Sequence, residues 1–84
     1  MDNWLILPDI GLIDGRRVIA VGLAESSPIK RLTTAIAEDY LIILTGGQRR
    51  QTVAILDSGH IIVTALTLTD WQRFLTANRN AAMR

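Results

Sequence analysis

Eighty-four residues make one small domain, with 49% hydrophobic residues and a formal net charge of only +1. There is no cysteine, which excludes disulfides and cysteine-ligated zinc and fits a reducing, cytoplasmic compartment. A domain this size hides only about 60–65% of its unfolded surface by folding alone, so its mean hydropathy of +0.26 implies a sheet covered on both faces or association of copies, the latter being expected here.

The N-terminal stretch "MDNWLILPD" has an acid at Asp2 and no basic leader, so no signal peptide is expected. No stretch of the chain approaches the ~18 apolar residues of a membrane helix. "WLIL" (4–7) is a strand candidate stopped by Pro8-Asp9, and Asp14-Gly15 marks a turn. "RRVIAVGL" (16–23) is rich in β-branched residues and reads as a strand with arginines at its start.

"AESSPIKRLTTAIAEDY" (24–40) is the clearest helix. Ser26 or Ser27 can cap it, and Pro28 takes the first helical position, where a missing N–H is not needed. Ile29, Leu32 and Ile36 recur at helical spacing and form one apolar face. Lys30 and Arg31 fall in the first turn, where cations oppose the helix dipole. That placement makes more sense if an anion arrives there.

"YLIIL" (40–44), "TVAIL" (52–56) and "HIIVTAL" (60–66) follow as three strands. The connections "TGGQRR" and "DSG" predict a meander of consecutive antiparallel neighbours. Continuous rather than alternating apolar pattern implies burial on both faces. One face takes the helix; the other meets the N-terminal strands or another subunit. "TLTDWQRFLTANRN" reads as a second helix, with Thr69 and Gln72 in capping-box spacing and an apolar stripe of Trp71, Phe74 and Leu75. The polar tail from Asn78 is expected to fray. The fold class is α+β: one domain over 1–84, with a mostly antiparallel sheet, a central helix and a C-terminal helix.

No reaction chemistry is legible. Asp57, Ser58 and the single histidine, His60, crowd one hairpin turn, which does not easily converge them on one reacting atom. No carboxylates cluster at metal or acid–base spacing, and Gly46-Gly47 lacks the rest of a phosphate-loop fingerprint. No catalytic residue, metal, cofactor or small-molecule substrate is expected. Trp4, Trp71 and Tyr40 read as core or interface anchors rather than as base-stacking platforms.

The distribution of charge says more than its sum. Eight of the nine basic residues are arginine, and six of the nine stand in adjacent pairs: Arg16–Arg17, Lys30–Arg31 and Arg49–Arg50. Successive strand side chains point to opposite faces, so Arg49–Arg50 belong at a turn or a rim. The arginine fork matches phosphate geometry. The competing reading is a solvated surface that uses these residues in salt bridges.

Taken together, "RVIAV", "ESSPIKRL", "TGGQRR" and "VAILDSGHIIVTAL" resemble, in order and approximate spacing, the RemA family of bacterial extracellular-matrix regulators. The resemblance covers about 16–66, and "ESSPIKR" and "DSGHII" are its most specific parts. It implies a LytTR-like fold, a ring-shaped homo-oligomer, and regulation of biofilm matrix genes through double-stranded DNA bound at rim arginines. By motif, Arg17, Pro28, Arg49 and Arg50 carry over; Arg16, Lys30 and Arg31 are further candidate DNA contacts. The family turn resembles Gly-Arg-Arg-x-Arg, whereas this chain has "GQRRQT" and lacks the third arginine. "LPDIG" replaces the family's Gly-Phe-Gly-Asn. Two alternatives stay open: an oligomeric interaction module that has lost DNA binding, and, more distantly, an anion sensor using the same arginines.

Overall fold

The computed structural model describes residues 4–82, with side chains for 4–77. Strands β1 (Trp4–Leu7) and β2 (Gly11–Asp14) pair antiparallel, with Leu7 opposite Gly11. Ile10 N–H donates to Leu7 O at 2.9 Å, and Asp9 has φ 62. Pro8 presets the second position of this turn, and the third requires the left-handed conformation that Asp9 adopts. The N-terminal strand therefore pairs within its own chain, with a strand that "GLID" is too short to announce.

A 3-10 turn (Gly15–Arg17) leads into β3 (Val18–Leu23). Then come α1 (Ser27–Ala35), a second 3-10 turn (Glu38–Tyr40), β4 (Leu41–Leu44), β5 (Thr52–Leu56), β6 (Ile61–Thr64) and α2 (Leu68–Ala82). The sheet order is β3-β5-β6-β4. Strand β5 lies antiparallel to β3 and β6, while β4 lies parallel to β6.

The expected meander is thus corrected at β4, which pairs with β6 and not with β5, and the sheet is mixed. The cause is the preceding connection. Parallel strands need a long crossover, usually helical, and α1 provides one. It carries the chain from β3 at one edge across the sheet to β4 at the other. For the same reason α1 ends at Ala35 rather than near Tyr40: Ile36 is already extended, with ψ 148. Ser26 is the N-cap, but its side chain makes no capping bond, and Pro28 lies in the first turn.

The sheet separates two apolar clusters. On one face Val53, Ile61 and Val63 are buried beneath Ala24, Ile29, Ile36 and Leu41. On the other, Ala54 and Ile62 pack with Leu7 and Ile13 of the hairpin and Trp71 of α2. Both faces of β5 and β6 are therefore covered, as the continuous apolar runs imply. Leu32 is the exception on α1: it is 37% exposed and joins neither cluster. Helix α1 comes close to β3 at Gly22, where a Cβ would stand 2.9 Å from Ile29 Cδ1.

Helix α2 starts with a reciprocal cap. Asp70 N–H donates to Thr67 Oγ1 and Thr67 N–H donates to Asp70 Oδ2, each at 3.1 Å. The capping pair is thus Thr67–Asp70 and not Thr69–Gln72; starting at Leu68 places Trp71 on the core face. The backbone is helical to Ala82, beyond the point where the polar tail is expected to fray. Residues 83 and 84 lie outside the described residues.

Candidate nucleic-acid interface

The connection between β4 and β5 opens with a tight turn. Gln48 N–H donates to Thr45 O at 3.0 Å, with Gly46 at φ 61 and Gly47 at φ 85. Two successive positive φ values define a turn that glycine makes without strain. The chain is then anchored at Gln51, whose N–H donates to Thr64 O and whose carbonyl accepts from Ala24 N–H. Arg49 and Arg50 are held between the turn and this anchor, on the rim, facing the start of α1.

There they line a cleft of about 490 Å3 with Glu25, Lys30, Thr33 and Thr34, above the buried Val53 and Val63. Three cations and one carboxylate leave the cleft formally at +2. Arg49 Nη2 lies 3.5 Å from Glu25 Oε1, with the two side chains 76% and 72% exposed. A pair this exposed contributes little and exchanges readily for another anion. Lys30, Arg31 and Arg50 have no ion pair among the described residues. Arg31 lies on the adjoining surface of α1 with Thr34 and Ala35.

Arg16 and Arg17 are elsewhere, at the opposite end of β3. Six residues of strand separate the two groups by about 20 Å. Asp14 caps the first 3-10 turn, accepting from Arg16 N–H at 3.0 Å and from Arg16 Nε at 3.3 Å. The side-chain bond from Arg16, then its backbone bond, hold the Asp14 carboxyl below its ordinary pKa. Arg17 Nη1 lies 3.4 Å from Asp57 Oδ1, and Asp57 N–H donates to Arg17 O. The structure therefore gathers Lys30, Arg49 and Arg50 into one site and leaves Arg16–Arg17 as a separate, partly neutralised pair.

Asp57 is turned toward Arg17 and not toward His60. Ser58 Oγ and His60 Nδ1 are bonded at 2.6 Å, and the His60 ring lies over Tyr40 at 4.7 Å between centroids. Among the described residues no cluster of His, Asp and Glu could hold a metal ion, and no helix is long and apolar enough to cross a membrane. Of the aromatic anchors only Trp71 is buried; Trp4 and Tyr40 are exposed. Glu25, Thr33 and Thr34 are the cleft residues that sequence reasoning passes over. Glu25, adjacent to the Ser26 cap and to a basic first turn, was the available signal.

The chain is similar over residues 11–73 to the RemA-like family, described as extracellular matrix regulatory protein A-like. A protein of Synechococcus sp. (strain JA-3-3Ab) named "Putative regulatory protein" is 42% identical over 84 residues, covering 96% of this chain and 94% of the relative. A relative from Cyanothece sp. (strain PCC 7425 / ATCC 29141) bearing the same description is 46% identical over 68 residues, 79% of this chain and 75% of its own. Another, from Finegoldia magna, is 34% identical over 70 residues, 82% of this chain and 84% of its own. With most of its length matched by both comparisons, the chain belongs to the RemA-like family of regulatory proteins.

Proposed function

We propose that this protein is a cytoplasmic, DNA-binding transcriptional regulator of the RemA type that grips the phosphate backbone through the cleft of Lys30, Arg49 and Arg50. The observation that carries the reading is the convergence of those three cations from two elements onto one rim, with Lys30 and Arg50 unpaired among the described residues. Backbone N–H groups and hydroxyls do not neutralise phosphate charge; lysine and arginine do, and each neutralised phosphate releases counterion. A single cleft binds weakly. Copies arranged in a ring repeat the contact, and linked contacts raise avidity by about 10²–10⁴ where geometry permits. The ring, the LytTR-like character of the fold and the link to biofilm matrix genes rest on the family resemblance.

The deciding experiment is fluorescence anisotropy of a labelled duplex titrated with protein across a salt series. Tight binding with a steep negative salt slope, abolished by Arg49→Ala with Arg50→Ala at unchanged oligomer mass, supports the reading. Undiminished binding by that double variant removes the cleft from the interface. A second reading, an oligomeric module without DNA binding, draws on the ion pairs already occupying Arg16, Arg17 and Arg49. Under it the same double variant loses oligomer mass and the wild-type protein shows no binding at low salt.

A further inference from the structure

We infer that copies of this chain join edge to edge, with β3 of one against β4 of the next, so that the four-stranded sheet continues from subunit to subunit. This rests on the proposed self-association and names the surface that carries it.

Strands β3 and β4 are the two outer strands of the sheet, so each has one side of its backbone ladder without a strand partner among the described residues. Such edges are templates for pairing, and proteins blunt them with charges, proline or bulges. Neither β3 (VIAVGL) nor β4 (LIIL) contains a charge or a proline. Large apolar side chains stand exposed on both: Ile19 at 68% and Leu23 at 49%, Ile42 at 38% and Ile43 at 49%. The one irregularity is the register shift between Val18 and Ala20. It leaves Ala20–Leu23 as the regular part of β3, four residues long, like Leu41–Leu44 of β4.

Direction follows from the pairings. Strand β3 opposes β5, β5 opposes β6, and β6 runs with β4, so β3 and β4 point the same way. A continued sheet therefore joins β3 to β4 in parallel, head to tail. A contact of this kind uses two different surfaces and propagates into rings or filaments.

Charge favours this pairing and its alignment. Arg16–Arg17 immediately precede β3, and Glu38–Asp39 lie just before β4. Aligning Ala20 with Leu41 in parallel brings the two 3-10 turns, one carrying the basic pair and the other the acidic pair, to the same end of the seam. Glu38 and Asp39 have no ion pair among the described residues. Arg16 and Arg17 hold their intrachain acids at 3.3 and 3.4 Å with side chains 65% and 60% exposed. A guanidinium carries five donors, so each can serve a second carboxylate. A two-fold join of β4 to β4 would leave Arg16 and Arg17 outside the seam. Arg16 and Arg17 thereby become subunit contacts, which accounts for their distance from the cleft.

The test is light scattering after size exclusion, with circular dichroism to check folding. Glu38→Arg/Asp39→Arg and Arg16→Glu/Arg17→Glu are each expected to fall to monomer mass alone. Mixed one to one, they reassociate above monomer mass, because complementary edges then alternate. If Arg16→Glu/Arg17→Glu fails to fold, Ile43→Lys replaces it as the second folded variant and is expected to be monomeric. An associated wild type whose folded acid-to-arginine variant keeps full mass overturns the inference while self-association stands. Folded, monomeric Glu38→Arg/Asp39→Arg and Arg16→Glu/Arg17→Glu that do not reassociate on mixing with each other also overturn it. A wild type that is monomeric at every concentration overturns both, and the duplex titration then judges DNA binding separately.

Discussion

The indole Nε1–H of Trp71 donates to Thr52 Oγ1 at 2.9 Å, tying α2 to the central strand β5 through two fully buried groups. The Thr52 hydroxyl has one proton, and Leu66 O accepts it at 2.9 Å. The 2.9 Å contact between Thr52 and Thr64 must therefore run with Thr64 as donor. Thr64 Oγ1 in turn accepts from Leu66 N–H at 3.3 Å. The network is closed, and among the described residues no buried side-chain polar atom lacks a partner.

Breaking this network asymmetrically should be costly. Thr52→Val leaves the Trp71 N–H, the Thr64 hydroxyl and the Leu66 carbonyl without their common partner. The expected loss is about 2–4 kcal/mol, since an orphaned buried polar group costs about 1–3 kcal/mol. Trp71→Phe removes one donor and some packing area but leaves Thr52 its other two bonds, so it should cost less. Urea denaturation at fixed protein concentration reads both; equal losses would show that the network is not coupled through Thr52.

Gly22→Ala tests the seat of α1. Its Cβ would stand 2.9 Å from Ile29 Cγ1 and Cδ1, closer than side chains tolerate. We expect a loss of about 1–3 kcal/mol from overpacking. Trimming the obstruction with Ile29→Val should return part of it. Lys30 follows Ile29 in α1, so DNA affinity should fall with Gly22→Ala as the cleft is disturbed.

Glu25 sits where a phosphate would compete with it. Its carboxylate lies 3.5 Å from Arg49 Nη2. Glu25→Gln should strengthen binding of a duplex, with the largest gain at low salt. Lys30→Ala and Arg50→Ala should each flatten the logarithmic salt slope by about 1 per cleft engaged. Unchanged slopes in both variants would place the phosphate contacts outside the cleft.

The Asp14–Arg16 contact sets a pH dependence of known sign. Arg16 lowers the Asp14 pKa in the folded chain relative to the ordinary carboxylate value. The stabilisation is therefore present above that ordinary value and is lost as pH falls through the lowered one. Asp14→Asn should flatten the acid limb of a stability profile between pH 5 and 2, taking those bounds as roughly the range for depressed carboxylates. An acid limb identical to wild type would show that the contact carries no linkage.

What could be read directly were local properties. Pro8-Asp9, Pro28 and Gly46-Gly47 mark where the chain turns or a helix starts, because backbone preference depends on the residue itself and its immediate neighbours. The unbroken apolar runs of β5 and β6 implied a sheet buried on both faces, and the arginine pair after two glycines had to lie on a rim. The family was legible too, because its motifs are contiguous stretches.

Tertiary structure decided strand neighbours and charge partners. Strand β4 could have continued a hairpin by its composition; the path of α1 across the sheet placed it beside β6 instead. The cap of α2 moved to Thr67 and Asp70 because the helix must present Trp71 to Thr52. Lys30 meets Arg49 and Arg50, while Arg16 and Arg17 stand a strand length away, although all of them look alike as dibasic pairs. Turn and helix preferences are energies of a few neighbouring residues and are written along the chain. Which cations share a cleft depends on how distant segments pack, and that follows only once both faces of the sheet are covered.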